Sequence, residues 1–287
     1  MRNLKITILI LSVLFILFTL IYKFEENKLL MSRNQYFRKN SILSQSGSNI
    51  KIAIFDTSNF MNEKKESKLC FSETNSVLGS TCNDDCDGQY SECEHSLRVT
   101  KIIKDIAPNS QIYNYNISSK LQNGKKVITI NNFINSLKDL KSKRIDILNL
   151  SFSFNELLSQ CEESNFELNK ILLELKENMV EIFASTGNDY QSKIIDYPSC
   201  LPFVNSVSSL NKDNYDYSDF ANRNEKTKYF AISKYLNDEN GDLFYGTSFS
   251  TAIASGTQAL LFEKNRACLI KESKILDLDI ILQECKK

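Results

Sequence analysis

Lys51-Ile52-Ala53-Ile54-Phe55-Asp56-Thr57-Ser58 is the stretch that decides the fold. Its apolar run is too short for a core helix, is rich in β-branched residues and stops on a carboxylate. Such a run suits a strand buried on both faces, the environment of a parallel sheet. Outward from it, Gln111–Tyr115, Ile145–Leu150, Val180–Ala184 and Phe203–Ser208 read as further strands. Between them, Val99–Ile106, Thr129–Leu140 and Phe166–Asn178 carry apolar residues at helical spacing, and Ala252–Phe262 follows near the end. Strands alternating with such helices predict βαβ units, an α/β fold with a mostly parallel sheet. No internal repeat or long low-complexity segment interrupts the pattern.

The chain has 287 residues, enough for one large or two small domains, and enough to bury a full α/β core. Lys+Arg and Asp+Glu are both 35, so no net field points to nucleic acid. Met1–Lys5 is short and basic, and Ile6–Tyr22 is apolar apart from Ser12 and Thr19. No small-x-small cleavage site follows, so residues 1–22 read as a membrane anchor or uncleaved signal; secretion after cleavage is the alternative. Residues 23–48 are polar and read as a tether to a domain spanning 49–287. The domain is then expected on the exported side, periplasmic or extracellular. Export makes disulfides of most of Cys70, Cys82, Cys86, Cys93, Cys161, Cys200, Cys268 and Cys285, with at least one bond among the first four. Spacing does not give their pairing, and oligomeric state is not legible.

Asp56 ends its strand, and Asn188 follows another in Ser185-Thr186-Gly187-Asn188. In open parallel sheets functional groups gather at such carboxyl ends. His95, the only histidine, and Ser248, in Gly246-Thr247-Ser248-Phe249-Ser250, are expected to open helices. An aspartate, a histidine and a serine are the parts of nucleophilic acyl transfer, and a helix N-terminus offers unpaired N–H groups to an oxyanion.

On these residues the chain resembles the subtilisin-like serine proteases. Five blocks fall in the family's order: Lys51–Ser58; His95–Ile103 with Ala107-Pro108-Asn109; Asp146–Phe152; Ala184–Asn188; and Gly246–Gly256. The order Asp, His, Ser is that of subtilisin. The resemblance implies a three-layer sandwich and a serine endopeptidase acting on protein or peptide, with no cofactor needed for chemistry. By the same resemblance Ser248 is nucleophile, His95 base, Asp56 its orienting carboxylate and Asn188 an oxyanion donor. Ser151, Phe152, Ser153 and Gly187 would line the substrate. Asp196, before Tyr197-Pro198, would sit at the base of the pocket for the residue preceding the scissile bond and favour Lys or Arg there.

The chain departs from the family at Ser58, Ser96-Leu97-Arg98, Phe152-Ser153 and Ala252. These departures leave a second reading, a subtilase-fold binding or scaffold protein without turnover. A third is an acyl-transferring ligase with the same triad. Just before His95, Asn83, Asp85, Asp87, Gly88 and Glu94 fill positions of the EF-hand calcium pattern. No helix is evident before Asn83 and two cysteines fall inside the loop, so an acidic loop stapled by Cys82, Cys86 or Cys93 is the preferred reading and calcium the lesser one.

Overall fold

The computed structural model describes residues 49–57, 67–71, 77–78, 91–120, 126–154, 161, 166–211, 216–232, 235–236 and 243–263. The segments expected as anchor (1–22) and tether (23–48) and the calcium-type residues Asn83, Asp85 and Asp87 lie outside them, and Glu94 is described only as helical backbone. Among the described residues no helix is long and apolar enough to cross a membrane.

The strands are β1 Lys51–Asp56, β2 Ser67–Phe71, β3 Val77–Leu78, β4 Gln111–Asn116, β5 Ser118–Lys120, β6 Lys126–Ile128, β7 Ile147–Leu150, β8 Glu181–Ser185, β9 Asn205–Leu210, β10 Tyr229–Ile232, β11 Tyr235–Leu236 and β12 Leu243–Phe244. The helices are α1 Ser91–Ile106, α2 Ile130–Leu140, α3 Phe166–Glu177 and α4 Thr247–Glu263. Eight strands form one sheet in the order β10-β9-β8-β7-β1-β4-β2-β3. All its pairings are parallel except β2 with β3. β5–β6 and β11–β12 are separate antiparallel pairs.

The pleat sorts each strand's side chains between two helical layers. Ile52, Ile54, Ile112, Ile147, Phe183 and Val207 pack with Val99, Ile102, Ile103 and Ile106 of α1 and with Phe249, Ala252, Leu260 and Leu261 of α4. Ala53, Phe55, Tyr115, Leu148, Leu150 and Ile182 pack instead with Phe133, Leu137 and Leu140 of α2 and Leu168, Leu172 and Leu175 of α3. The result is the three-layer α/β sandwich. α1 and α4 approach closely at Gly256, where a Cβ would meet Ile106 at 3.0 Å.

Two expectations are corrected. α1 begins well before Val99, so His95 lies in its second turn rather than opening it. Periodicity missed this because Ser91–Glu94 carries no apolar pattern. β2, β3 and β10 also join the sheet without having been expected; β2 and β3 are short, and β10 is an edge strand of four residues.

Candidate active site

The sheet order reverses at β1: the chain goes from β1 to β4 on one side, then returns to β7 on the other. The crevice outside the carboxyl ends of β1 and β7 is therefore the topological switch point, where open α/β sheets bind ligands. Asp56 stands at the end of β1 and Ser151 just beyond β7.

Asp56 is 3% exposed. Its Oδ1 accepts from the Thr57 N–H at 2.7 Å, and Oδ2 and Oδ1 lie 2.9 and 3.1 Å from His95 Nδ1. The imidazole is 30% exposed, with its ring centroid 5.8 Å from that of Phe249, the neighbour of Ser248. Burial pulls the imidazole pKa down and Arg98 adds to this, but the charge and hydrogen bond of Asp56 outweigh both, leaving it above the ordinary 6.5. The pair fixes Nδ1 as the protonated nitrogen and leaves Nε2 as the basic one.

Ser248 is the second residue of α4, so its N–H is one of the first-turn groups without an intrahelical acceptor. Its hydroxyl donates to the Ser151 carbonyl at 2.9 Å, and the Ser151 hydroxyl donates back to the Ser248 carbonyl at 2.9 Å. Ser151 is itself placed by Asn149, whose Nδ2 donates to its hydroxyl at 2.9 Å while Ser255 donates to Asn149 Oδ1 at 2.9 Å. Asn188 Oδ1 accepts from both the N–H and the hydroxyl of Thr247, each at 3.0 Å. The other end of the amide, Nδ2, lies beside Gly246, 3.9 Å from where a Cβ on that glycine would stand.

Beside this pair, Ser153 donates to Asp196 Oδ2 at 2.7 Å and Asn222 Nδ2 donates to Oδ1 at 3.0 Å. Asp196 is 0% exposed. Burial raises its pKa above the usual 3.8 and the Asp189 charge raises it further, while the Ser153 and Asn222 hydrogen bonds lower it. Gly187, at φ +101°, leaves room for that carboxylate: a Cβ there would lie 2.1 Å from Asp196 Oδ2. Phe152 is different. Its ring packs on Phe133 at 5.2 Å and Phe154 at 5.5 Å, so its side chain belongs to the core.

The structure thus brings Asp56 to His95, Ser248 to Ser151, and Ser153 and Gly187 to Asp196. It sets the Ser248 hydroxyl on Ser151 rather than on His95. The supporting roles of Thr247, Asn149, Ser255 and Asn222 were not foreseen; Asn149 acts on Ser151 two residues away, and the other three act through partners distant in sequence. Cys161 and Cys200 form a disulfide with Cα atoms 6.0 Å apart. Among the described residues no group of three or more His, Cys, Asp or Glu could hold a metal.

A model of the subtilase family matches residues 74–275, more than half of the chain, and the protein belongs to that family. Among solved structures, a mutant of the protease domain of PatA is 19% identical, with a TM-score of 0.66, covering 85% of this chain and 98% of its own. The prenylagaramide maturation protease PagA is 22% identical, with a TM-score of 0.60 and coverage of 77% and 78%. A cold adapted subtilisin-like serine proteinase is 16% identical, with a TM-score of 0.60 and coverage of 86% and 84%. No curated protein sequence matches the chain.

Proposed function

We propose that this subtilase is a serine endopeptidase. Ser248 attacks the scissile carbonyl while His95 Nε2 takes its proton and later returns it to the leaving amine. Asp56 holds Nδ1–H and stabilises the imidazolium. Asn188 Nδ2 and the Ser248 N–H stabilise the oxyanion, and water then hydrolyses the acyl-enzyme. No cofactor enters these steps. The observation that carries the reading is the Asp56–His95 contact of 2.9 Å, made by a ring that lies against Phe249 at the start of α4. Attack requires the Ser248 hydroxyl to leave the Ser151 carbonyl, to which it donates at 2.9 Å, for His95.

Cleavage after Lys or Arg is the finer part of the proposal. It is supported by a buried Asp196 whose donors, Ser153 and Asn222, are neutral. A carboxylate so placed gains from an incoming cation, which would have to displace Ser153. The anchor at 1–22, the tether and an exported catalytic domain complete the proposal, supported by the Cys161–Cys200 bridge, since disulfides persist in oxidising compartments.

The decisive experiment is a fluorophosphonate probe on the folded chain. Labelling at Ser248, lost in Ser248→Ala, supports the enzyme; absence of labelling leaves the non-catalytic binding protein. The PatG macrocyclase in complex with peptide shares the fold at 16% identity and a TM-score of 0.59, covering 85% of this chain and 90% of its own. Adding an amine nucleophile to the assay therefore also tests whether the acyl group passes to amine rather than water.

A further inference from the structure

We propose that Asn222 is the positioning residue of the turn that carries Asn188, acting on catalysis through that turn. The proposal rests on the reading of Asn188 as an oxyanion donor. The turn Gly187–Gln191 contains two residues in the left-handed region, Gly187 at φ +101° and Tyr190 at φ +61°. Glycine adopts this conformation freely, whereas a tyrosine there must be held. Packing does not hold it, because Tyr190 is 74% exposed.

Main-chain bonds hold part of the turn, the Tyr190 N–H donating to the Phe220 carbonyl at 3.0 Å and the Arg223 N–H to the Gln191 carbonyl at 2.9 Å, and Asn222 supplies the side-chain restraint. Its Oδ1 accepts from the N–H of Asp189 at 2.9 Å and of Gln191 at 3.0 Å, the two residues flanking Tyr190. Its own N–H donates to the Gly187 carbonyl at 3.0 Å. Its Nδ2 donates to Asp196 Oδ1 at 3.0 Å and to Asp189 Oδ2 at 3.3 Å. Asn222 is 0% exposed, and its amide uses both lone pairs and both protons. Ser208 fixes it from behind, donating to its carbonyl at 2.8 Å. Asn188 lies between Gly187 and Asp189, both bonded to Asn222, while Thr247 holds its side-chain oxygen. The amide is thereby gripped from two sides, by Asn222 through the main chain and by Thr247 through the side chain. An aspartate at 222 would accept the same N–H groups but donate nothing, and would add a charge beside Asp189 and Asp196.

The test compares Asn222→Ala, Asn188→Ala, their double variant and Tyr190→Gly/Asn222→Ala in the full chain. Peptide kinetics are read alongside amide hydrogen exchange at Asp189 and Gln191. Asn222→Ala is expected to lower kcat by about 10–10²-fold, less than the about 10²–10³-fold loss from removing an oxyanion donor itself, with KM little changed. The double variant should be no more than about threefold slower than Asn188→Ala, because both substitutions remove one interaction. Tyr190→Gly should restore most of the loss, since glycine holds the left-handed turn unaided, and it provides a folded variant should Asn222→Ala prove unstable. Losses that multiply in the double variant, absence of recovery with Tyr190→Gly, or unchanged exchange at Asp189 and Gln191 would each overturn the proposal. If the wild type neither labels nor cleaves, the endopeptidase reading fails by itself, and exchange in Asn222→Ala still decides whether Asn222 holds the turn.

Discussion

The two halves of the site are held by different kinds of bond. At the end of β1, a buried carboxylate grips His95 through contacts of 2.9 and 3.1 Å. At the start of α4, Ser248 exchanges two neutral hydrogen bonds of 2.9 Å with Ser151, one of them between its hydroxyl and a carbonyl. Hydrogen bonds to an ionised partner are roughly twice as strong as neutral ones. His95 is therefore fixed in orientation and tautomer, while the Ser248 hydroxyl is held by a neutral bond alone. In the reaction proposed for this fold, the serine is the part that moves.

The largest expected effect removes either side of the comparison. Ser248→Ala should abolish probe labelling, and either Ser248→Ala or His95→Ala should lower kcat on the order of 10⁶-fold. A residual rate near wild type in Ser248→Ala would place the chemistry elsewhere. Next, Asp56→Asn tests the charged grip and should cost about 10⁴-fold. It also carries a signature in pH. Wild-type kcat/KM should rise with pH through an apparent pKa above 6.5, because the base must be neutral. In Asp56→Asn only burial and Arg98 remain, both lowering the imidazole pKa, so the acidic limb should move to lower pH. The same pair contributes stability that is complete below pH 6.5 and lost as pH rises through the raised pKa, which thermal melts of wild type and variant should resolve.

A smaller loss, about 10²–10³-fold in kcat with the fold intact, is expected for Asn188→Ala; a loss under about threefold would remove Asn188 from the oxyanion site. The smallest effect concerns Asp196→Asn. The ratio of cleavage after Lys or Arg to cleavage after Leu or Phe should fall about tenfold, the lower end of what one pocket contact discriminates. A peptide-library profile that favours large apolar residues in both proteins would detach Asp196 from specificity.

The sequence carried β1, β7 and β8 because they are buried and rich in apolar side chains, whereas β9, Asn205-Ser206-Val207-Ser208-Ser209-Leu210, is buried but mostly polar. It carried Asp56, Asn188 and Ser248 because each follows or opens a regular element at the functional edge. His95 was visible as a residue but not in its place, since the first turn of α1 has no apolar rhythm. β2 was missed because its partner β4 lies far along the chain, and β3, two residues long, because it pairs only with β2. The supports of the site were the least legible. Thr247, Asn149 and Asn222 matter through hydrogen bonds to residues far along the chain, and an asparagine in Ala221-Asn222-Arg223 looks like any turn residue.

Gly187, Ser153 and Asp196 have a consequence for how this site can change. A Cβ at position 187 would strike Asp196 Oδ2 at 2.1 Å and Asn222 Nδ2 at 2.5 Å. Position 187 therefore cannot gain a side chain while the aspartate remains, even before the cost of its positive φ is counted. Ser153, for its part, spends its hydroxyl on the same carboxylate, so losing Asp196 first would leave that hydroxyl without its acceptor. Shrinking the aspartate would not by itself admit a side chain at 187, because Asn222 Nδ2 stands in the same space, so these positions and Asn222 constrain one another.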